Sequence, residues 1–383
     1  MAYVILDADS WQNVTDFETG EDIETWNNPD VGAISKILTS CRYPGDTTTE
    51  SIEWTTETAK KLDAYARPDL MVLTFATPYF VKATQELSAE QEEDINSRLF
   101  AAIDDFLSGT DYQPLIIGLG GLTNTLGALA APNLRNRLRG GLSPTPYAGL
   151  FNGSEKEIRQ CREIPHAAIY TKERIFADFP RMNPRQIAET PDLILMADDG
   201  YTLTTTKKRG FLLRKVPLVN RRLPVYTTLP IPSHITGVRG TVEKALDAGK
   251  KVALILLEGT GEADFRLPFA HTNCEEKWMV YDQGVLQYMA ILTGKRFYEN
   301  NFSLVLRLKP GNEYSTKYPY SQFEYIDDMP TDTLGRKAGK KTAAVGSRSM
   351  FTHAITQADI CIECQSRQTA PSGLFALIND PTD

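Results

Sequence analysis

The chain has 383 residues, 42% hydrophobic and 23% charged, which excludes a largely disordered protein and allows a core that needs no disulfide or metal staple. Its 41 Lys and Arg against 49 Asp and Glu give a net charge of −8, so no global field draws it to nucleic acid or anionic lipid. No window approaches the roughly 18 apolar residues of a membrane span, the opening MAYVILDADS lacks a basic n-region, and five scattered cysteines suit a reducing cytoplasm better than a disulfide framework.

Short, near-continuous apolar runs recur along the chain, as expected of strands buried on both faces. The first is Tyr3–Leu6. A helix is expected over Trp54–Tyr65, ended ahead of Pro68 by the restriction proline places on its predecessor. The run Leu70–Phe75 follows, then the clearest helix, Ser88 to Leu107. There Ser88 and Gln91 have capping-box spacing, Glu90, Glu92 and Glu93 suit a helix N-terminus, and Ile95, Leu99, Ala102, Ile103 and Phe106 form one stripe. After Pro114–Ile117, residues 123–153 are rich in Pro, Gly and Arg and read as a cap or insertion. Runs at Ala167–Tyr170 and Leu193–Met196 precede a helix over Thr241–Ala248, closed by Gly249, that feeds Val252–Leu257. Phe302–Leu306, a loop-rich excursion over 310–333, Thr342–Val345 and Ile360–Ile362 complete the pattern. Strands alternating with helices predict an α/β fold. The expected form is an open, mostly parallel sheet with helices on both faces, in one large domain spanning 1–383.

Open α/β sheets bind ligands at the carboxyl ends of their strands. Three runs end in acids: Asp7 and Asp9 after the first, Asp198 and Asp199 after Leu193–Met196, and Glu258, Glu262 and Asp264 after Val252–Leu257. Carboxylates gathered on one edge repel unless a cation offsets them, and oxygen-only ligands favour Mg²⁺ or Mn²⁺. Such a cation supplies what phosphoryl transfer needs. The same residue types also make turns and cap helices in α/β proteins generally.

The Asp7-Ala8-Asp9-Ser10 segment resembles the first motif of haloacid dehalogenase-type phosphohydrolases. That resemblance implies Asp7 as nucleophile and Asp9 as general acid/base, with Thr74, Lys172 and Asp198-Asp199 in the later motifs and Trp11 where the family has a small hydrophobe. A longer resemblance, in rotated order, is to the alkaline phosphatase superfamily, its nucleotide pyrophosphatase/phosphodiesterase and phosphoglycerate mutase branches. It runs over RPDLMVLTFATPYF…PLIIGLGGLTN, PTPYAGLFNGSEKEIRQ…TPDLILMADDGYTL, KKVALILLEGTGEADF and LGRKAGKKTAAVGS. The resemblance implies an α/β fold and puts Glu258 where the family has a metal-binding Asp, with Thr272 near the nucleophile position. It also exposes departures. Ala76-Thr77-Pro78 replaces the first metal turn, Gly118-Leu119-Gly120 replaces Asp-His-Gly, and none of the four histidines sits in a family motif.

Two expectations follow. One is a divalent-metal-dependent phosphoryl or phosphodiester hydrolase acting on a phosphorylated small molecule or nucleotide. Asp7, Asp198, Asp199 and Glu258 would hold Mg²⁺ or Mn²⁺, or Zn²⁺, with Asp7, Asp9 and His271 catalytic. The other is a degenerate, non-catalytic member that binds a ligand or partner or builds an oligomer. Smaller signals are a Cys361-x-x-Cys364 pair that zinc could use only with Cys274, His271 or His353, and a glycine turn at Gly118–Gly121 whose amides could meet an anion. A basic stretch, Lys207-Lys208-Arg209, Arg214-Lys215 and Arg221-Arg222, reads as a solvated or partner-facing arm. The dinucleotide fingerprint and the P-loop are absent.

Overall fold

A computed structural model describes residues 3–7, 14–16, 29–45, 47–130, 146–204, 213–299, 332–346, 356–365 and 373–379. Strands β1 (Tyr3–Asp7) and β2 (Val14–Asp16) precede helices α1 (Pro29–Ser40) and α2 (Ser51–Ala66). Next come β3 (Leu70–Phe75), α3 (Thr77–Thr84), α4 (Ala89–Ser108) and β4 (Gln113–Gly118). Short strands β5 (Leu122–Asn124), β6 (Gly127–Ala130) and β7 (Tyr147–Leu150) lead to α5 (Glu155–Arg162) and β8 (Ala167–Thr171). Then follow α6 (Lys172–Asp178), α7 (Pro184–Glu189), β9 (Leu193–Ala197) and β10 (Tyr201–Thr204). The chain continues through β11 (Lys215–Pro217), β12 (Arg222–Thr227), α8 (Gly237–Asp247), β13 (Val252–Leu257) and β14 (Ala270–Asn273). The hairpin β15 (Glu275–Glu276) and β16 (Met279–Val280) leads into α9 (Val285–Thr293). A 3₁₀ turn at Leu334–Arg336, β17 (Thr342–Gly346), β18 (Ile360–Gln365) and β19 (Gly373–Asn379) follow.

Ten strands form one sheet in the order β14-β12-β4-β13-β3-β17-β18-β19-β1-β2. The middle block β4-β13-β3-β17-β18 is parallel, whereas β12, β14, β19, β1 and β2 pair antiparallel on its flanks. The fold is therefore α/β with a large mixed sheet. Alternation along the buried strands divides their side chains between two clusters. Met71, Leu73, Ile116, Ala253 and Ile255 pack with Ile34, Leu62, Leu99 and Phe106 of α1, α2 and α4. Leu70, Val72, Leu115, Leu254 and Leu256 pack with Val238, Val242 and Leu246 of α8 and Met289 and Ile291 of α9.

Local chemistry explains the element ends. Ser88 and Gln91 make the reciprocal capping box expected of them, with Gln91 N donating to Ser88 Oγ at 3.2 Å and Ser88 N to Gln91 Oε1 at 2.8 Å. Helix α2 ends where Arg67 turns left-handed, at φ 46°, just before Pro68. Helix α8 begins at Gly237, earlier than Thr241, and its N-terminal residue Thr236 makes no side-chain cap.

Ala167–Tyr170 and Leu193–Met196 do not join the large sheet. They lie in a separate antiparallel sheet of order β7-β9-β8. Its middle strand β9 is covered on both sides: Ile194 and Met196 join the large-sheet cluster, while Leu193 and Leu195 pack with Cys161 of α5. Burial on both faces produces the same continuous apolar run as a parallel strand, so the run alone could not tell the two apart. Outside these two sheets, β5 pairs with β11 and β6 with β10. Residues 131–145, the run Phe302–Leu306 and residues 310–331 lie outside the described residues. No helix among the described residues is long and apolar enough to cross a membrane.

Candidate functional site

The carboxyl edge of the parallel block is built from two glycine turns. One follows β13 as Glu258-Gly259-Thr260-Gly261, the other follows β4 as Leu119-Gly120-Gly121. They lock together by backbone bonds: Leu119 N donates to Leu257 O at 2.8 Å and Gly120 N to Thr260 O at 3.2 Å. Close approach dictates the glycines. Gly259 has φ +69°, and a Cβ there would sit 2.7 Å from Tyr79 Cα, while a Cβ on Gly261 would sit 2.7 Å from Gly121 N.

Behind these turns lies a polar cluster closed on itself. Lys82 of α3 is 2% exposed. Its ammonium donates to Asn96 Oδ1 at 2.8 Å, Asp264 Oδ1 at 2.9 Å and Gly259 O at 3.3 Å, which uses all three donors. Asn96 Nδ2 donates to the same Asp264 oxygen at 3.1 Å, and Gly261 N donates to Asp264 Oδ2 at 3.1 Å. Burial pushes the Asp264 carboxyl up, but the Lys82 ammonium and these donors outweigh it and hold it below the ordinary carboxylate value. Glu258 is fully buried and accepts from Tyr288 Oη of α9 at 2.8 Å. Gln283 bridges the turns, accepting from Gly259 N at 2.9 Å and donating to Gly121 O at 3.1 Å. Gln287 donates to Leu119 O at 2.9 Å and Tyr281 O at 3.0 Å.

The glycine turns therefore do not form an anion cradle from the amides of Leu119, Gly120, Gly259 and Gly261, because each already has an acceptor within the protein. The expected carboxylates lie on different elements. Asp7 ends β1, which points the same way as β13 but lies five strand spacings from it, about 24 Å at ~4.8 Å per strand. Asp198 and Asp199 follow β9 of the other sheet and are exposed. Asp199 Oδ1 accepts from Val219 N at 2.7 Å, and Asp198 lies 3.7 Å from His166 Nδ1. His271 is on edge strand β14, three spacings or about 14 Å from β13, and its Nε2 meets Glu262 Oε1 at 2.8 Å. Asp9 and His353 lie outside the described residues. Asp7, Asp198, Asp199 and Glu258 thus do not converge into one donor set. Among the described residues no three His, Cys, Asp or Glu side chains are grouped to hold a metal ion.

The remaining candidates are also placed apart. Cys274 follows β14 and Cys361 lies on β18, about 29 Å away across six spacings. Burial pushes the Cys274 thiol up to about 12. Lys172 heads α6 and Thr74 is buried in β3, so the haloacid dehalogenase-like set is divided between two sheets. In the basic stretch, Arg214 pairs with Glu86, Lys215 with Glu92 and Arg221 with Glu275, while Lys207, Lys208 and Arg209 lie outside the described residues.

The sequence reading missed Lys82, Asn96, Gln283, Gln287 and Tyr288. Asn96 carried a signal, as a polar residue beside Ile95 and one turn before Phe100 on the buried stripe of α4. Lys82 sits among buried Tyr79, Val81 and Ala83 in a helix too short for its periodicity to stand out. No protein-family model, curated protein or solved structure matches this chain.

Proposed function

We propose that this chain is a non-catalytic derivative of an alkaline phosphatase-like α/β scaffold, working as a ligand- or partner-binding or assembly protein. The observation that carries this reading is a strand edge whose charged side chains and turn amides already have partners within the chain. The groups best placed to hold a metal or phosphate are bonded to one another: Lys82 to Asp264 and Asn96, Glu258 to Tyr288, and the turn amides to Gln283, Asp264 and backbone carbonyls.

The runner-up is a divalent-metal-dependent phosphoryl or phosphodiester hydrolase. What favours it is the position of Glu258, at the carboxyl end of the central parallel strand β13, where open α/β sheets place ligands. A ligand that binds only the native state raises its melting temperature. The scaffold reading predicts no change in melting temperature with Mg²⁺, Mn²⁺ or Zn²⁺ and no turnover of aryl phosphate mono- and diesters. It further predicts sedimentation as an oligomer or co-purification with a partner. Metal-dependent turnover lost in Glu258→Gln would replace it with the hydrolase.

A further inference from the structure

The Lys82–Asn96–Asp264 cluster has the composition and geometry of a reaction centre turned inward. An amine is held in van der Waals range of a carboxamide, and one carboxylate oxygen touches both. Lys82 and Asn96 are 2% and 3% exposed. Lys82 Nζ lies 2.8 Å from Asn96 Oδ1, so the carbonyl carbon is only one C=O bond, about 1.2 Å, beyond the atom already in contact. Asp264 Oδ1 is 2.9 Å from Lys82 Nζ and 3.1 Å from Asn96 Nδ2, the attacking and leaving nitrogens. Phe265, next in the chain to Asp264, meets Phe100, one helical turn beyond Asn96, edge to face at 5.3 Å, so an aromatic pair flanks the cluster. Holding reactants at contact distance with a proton carrier between them supplies the proximity term that otherwise makes amine–carboxamide exchange slow in water.

We propose that Lys82 and Asn96 condense into an intramolecular isopeptide bond, with Asp264 as the proton carrier. Asp264 first takes a proton from the Lys82 ammonium, leaving a neutral amine. The Nζ lone pair attacks Asn96 Cγ and a new N–C bond forms. Asp264 delivers that proton to Nδ2 and the Cγ–Nδ2 bond breaks. Asp264 then takes the second proton from the attacking nitrogen, leaving a neutral amide with one hydrogen, and passes it to the departing ammonia, which leaves as ammonium. No oxidant, reductant or second substrate is consumed. The product ties α3 to α4 behind the glycine turns, retains an N–H able to donate to Asp264 or Gly259 O, and makes the closed strand edge permanent. Since it starts from an ion pair that must first exchange a proton, condensation is slow and follows folding.

Intact mass spectrometry of the full-length chain under denaturing conditions tests this. The expected mass is below the sequence mass by one ammonia, and a tryptic digest yields residues 62–98 as a single peptide, uncleaved after Lys82 and lighter by one ammonia. Lys82→Arg and Asn96→Ala restore their own full sequence masses, and Asp264→Ala restores the full mass and tryptic cleavage after Lys82. A wild-type chain at its full sequence mass, or an ammonia loss mapped to a succinimide elsewhere, overturns the proposal without need of any variant. That result leaves the scaffold reading standing on the hydrogen-bonded cluster, whereas metal-dependent turnover would remove the scaffold reading and not the bond.

Discussion

The tips of β13 and β9 both carry acids after a continuous apolar strand, yet their surroundings differ in almost every respect. At β13, Glu258 is fully buried and bonded to Tyr288, and Asp264 is held by Lys82, Asn96 and Gly261 N. At β9, Asp198 and Asp199 are exposed; Asp199 accepts one amide bond and Asp198 faces His166 at 3.7 Å. An acidic strand end is therefore an ambiguous sign. In one setting it is a turn in water; in the other the acids have become part of the interior. What separates the two is the supply of partners from other elements, α3, α4 and α9 in the first case.

That contrast can be broken at its strongest point by removing the buried cation. Lys82→Met leaves Asp264 and Asn96 facing an apolar side chain; measured against wild-type chain in which Lys82 has not condensed, breaking a buried pair by deleting one partner costs about 3–5 kcal/mol. Urea unfolding should show the loss as a lowered midpoint, and a change under about 1 kcal/mol would mean that the pair is in effect solvated. Gly259→Ala tests the crowding of the same edge. Its φ of +69° and the 2.7 Å approach to Tyr79 predict a loss of about 1–3 kcal/mol in the same assay.

A partly buried histidine extends the contrast to pH. His234 is pushed below its usual value mainly by burial, against the Glu275 carbonyl that donates the opposing influence, with Arg296 adding to the depression. Glu276 also faces it, at 3.4 Å. The unfolded chain takes up a proton near pH ~6.5 while the folded chain resists it, so stability is lost as the pH falls below that range. Chemical unfolding at stepped pH should show this slope in the wild type and a weaker one in His234→Gln. At the exposed tip the effect should be smallest. Asp198→Asn and Asp199→Asn should each shift stability by no more than about 0.5 kcal/mol.

The strands of the parallel block are readable because burial on both faces leaves continuous runs, and Leu70–Phe75 and Val252–Leu257 have the same limits in sequence and structure. The long helix is readable because Ser88 and Gln91 announce its start. Leu193–Met196 misleads for the same physical reason that the others succeed: the middle strand of a small covered sheet is also buried twice. Among the flanking antiparallel strands β1 was legible as the run Tyr3–Leu6, but β12, which carries Pro224 within it, and β14, a short edge strand with exposed residues, were not. The candidate site was legible only as a list of acids. Strand order decides whether acids meet, and local sequence does not encode it; four strands lie between β13, which ends at Glu258, and β1, which ends at Asp7. The lysine that closes the edge was hidden because its neighbours on α3 are apolar.

The central claim is that the β13 edge is already filled by the chain's own side chains. Thermal melts of the full-length protein with and without Mg²⁺, Mn²⁺ and Zn²⁺ test it most directly. The account predicts one melting temperature in all four conditions. A rise with any of these cations that disappears in Glu258→Gln would contradict it and put a metal site at the end of β13.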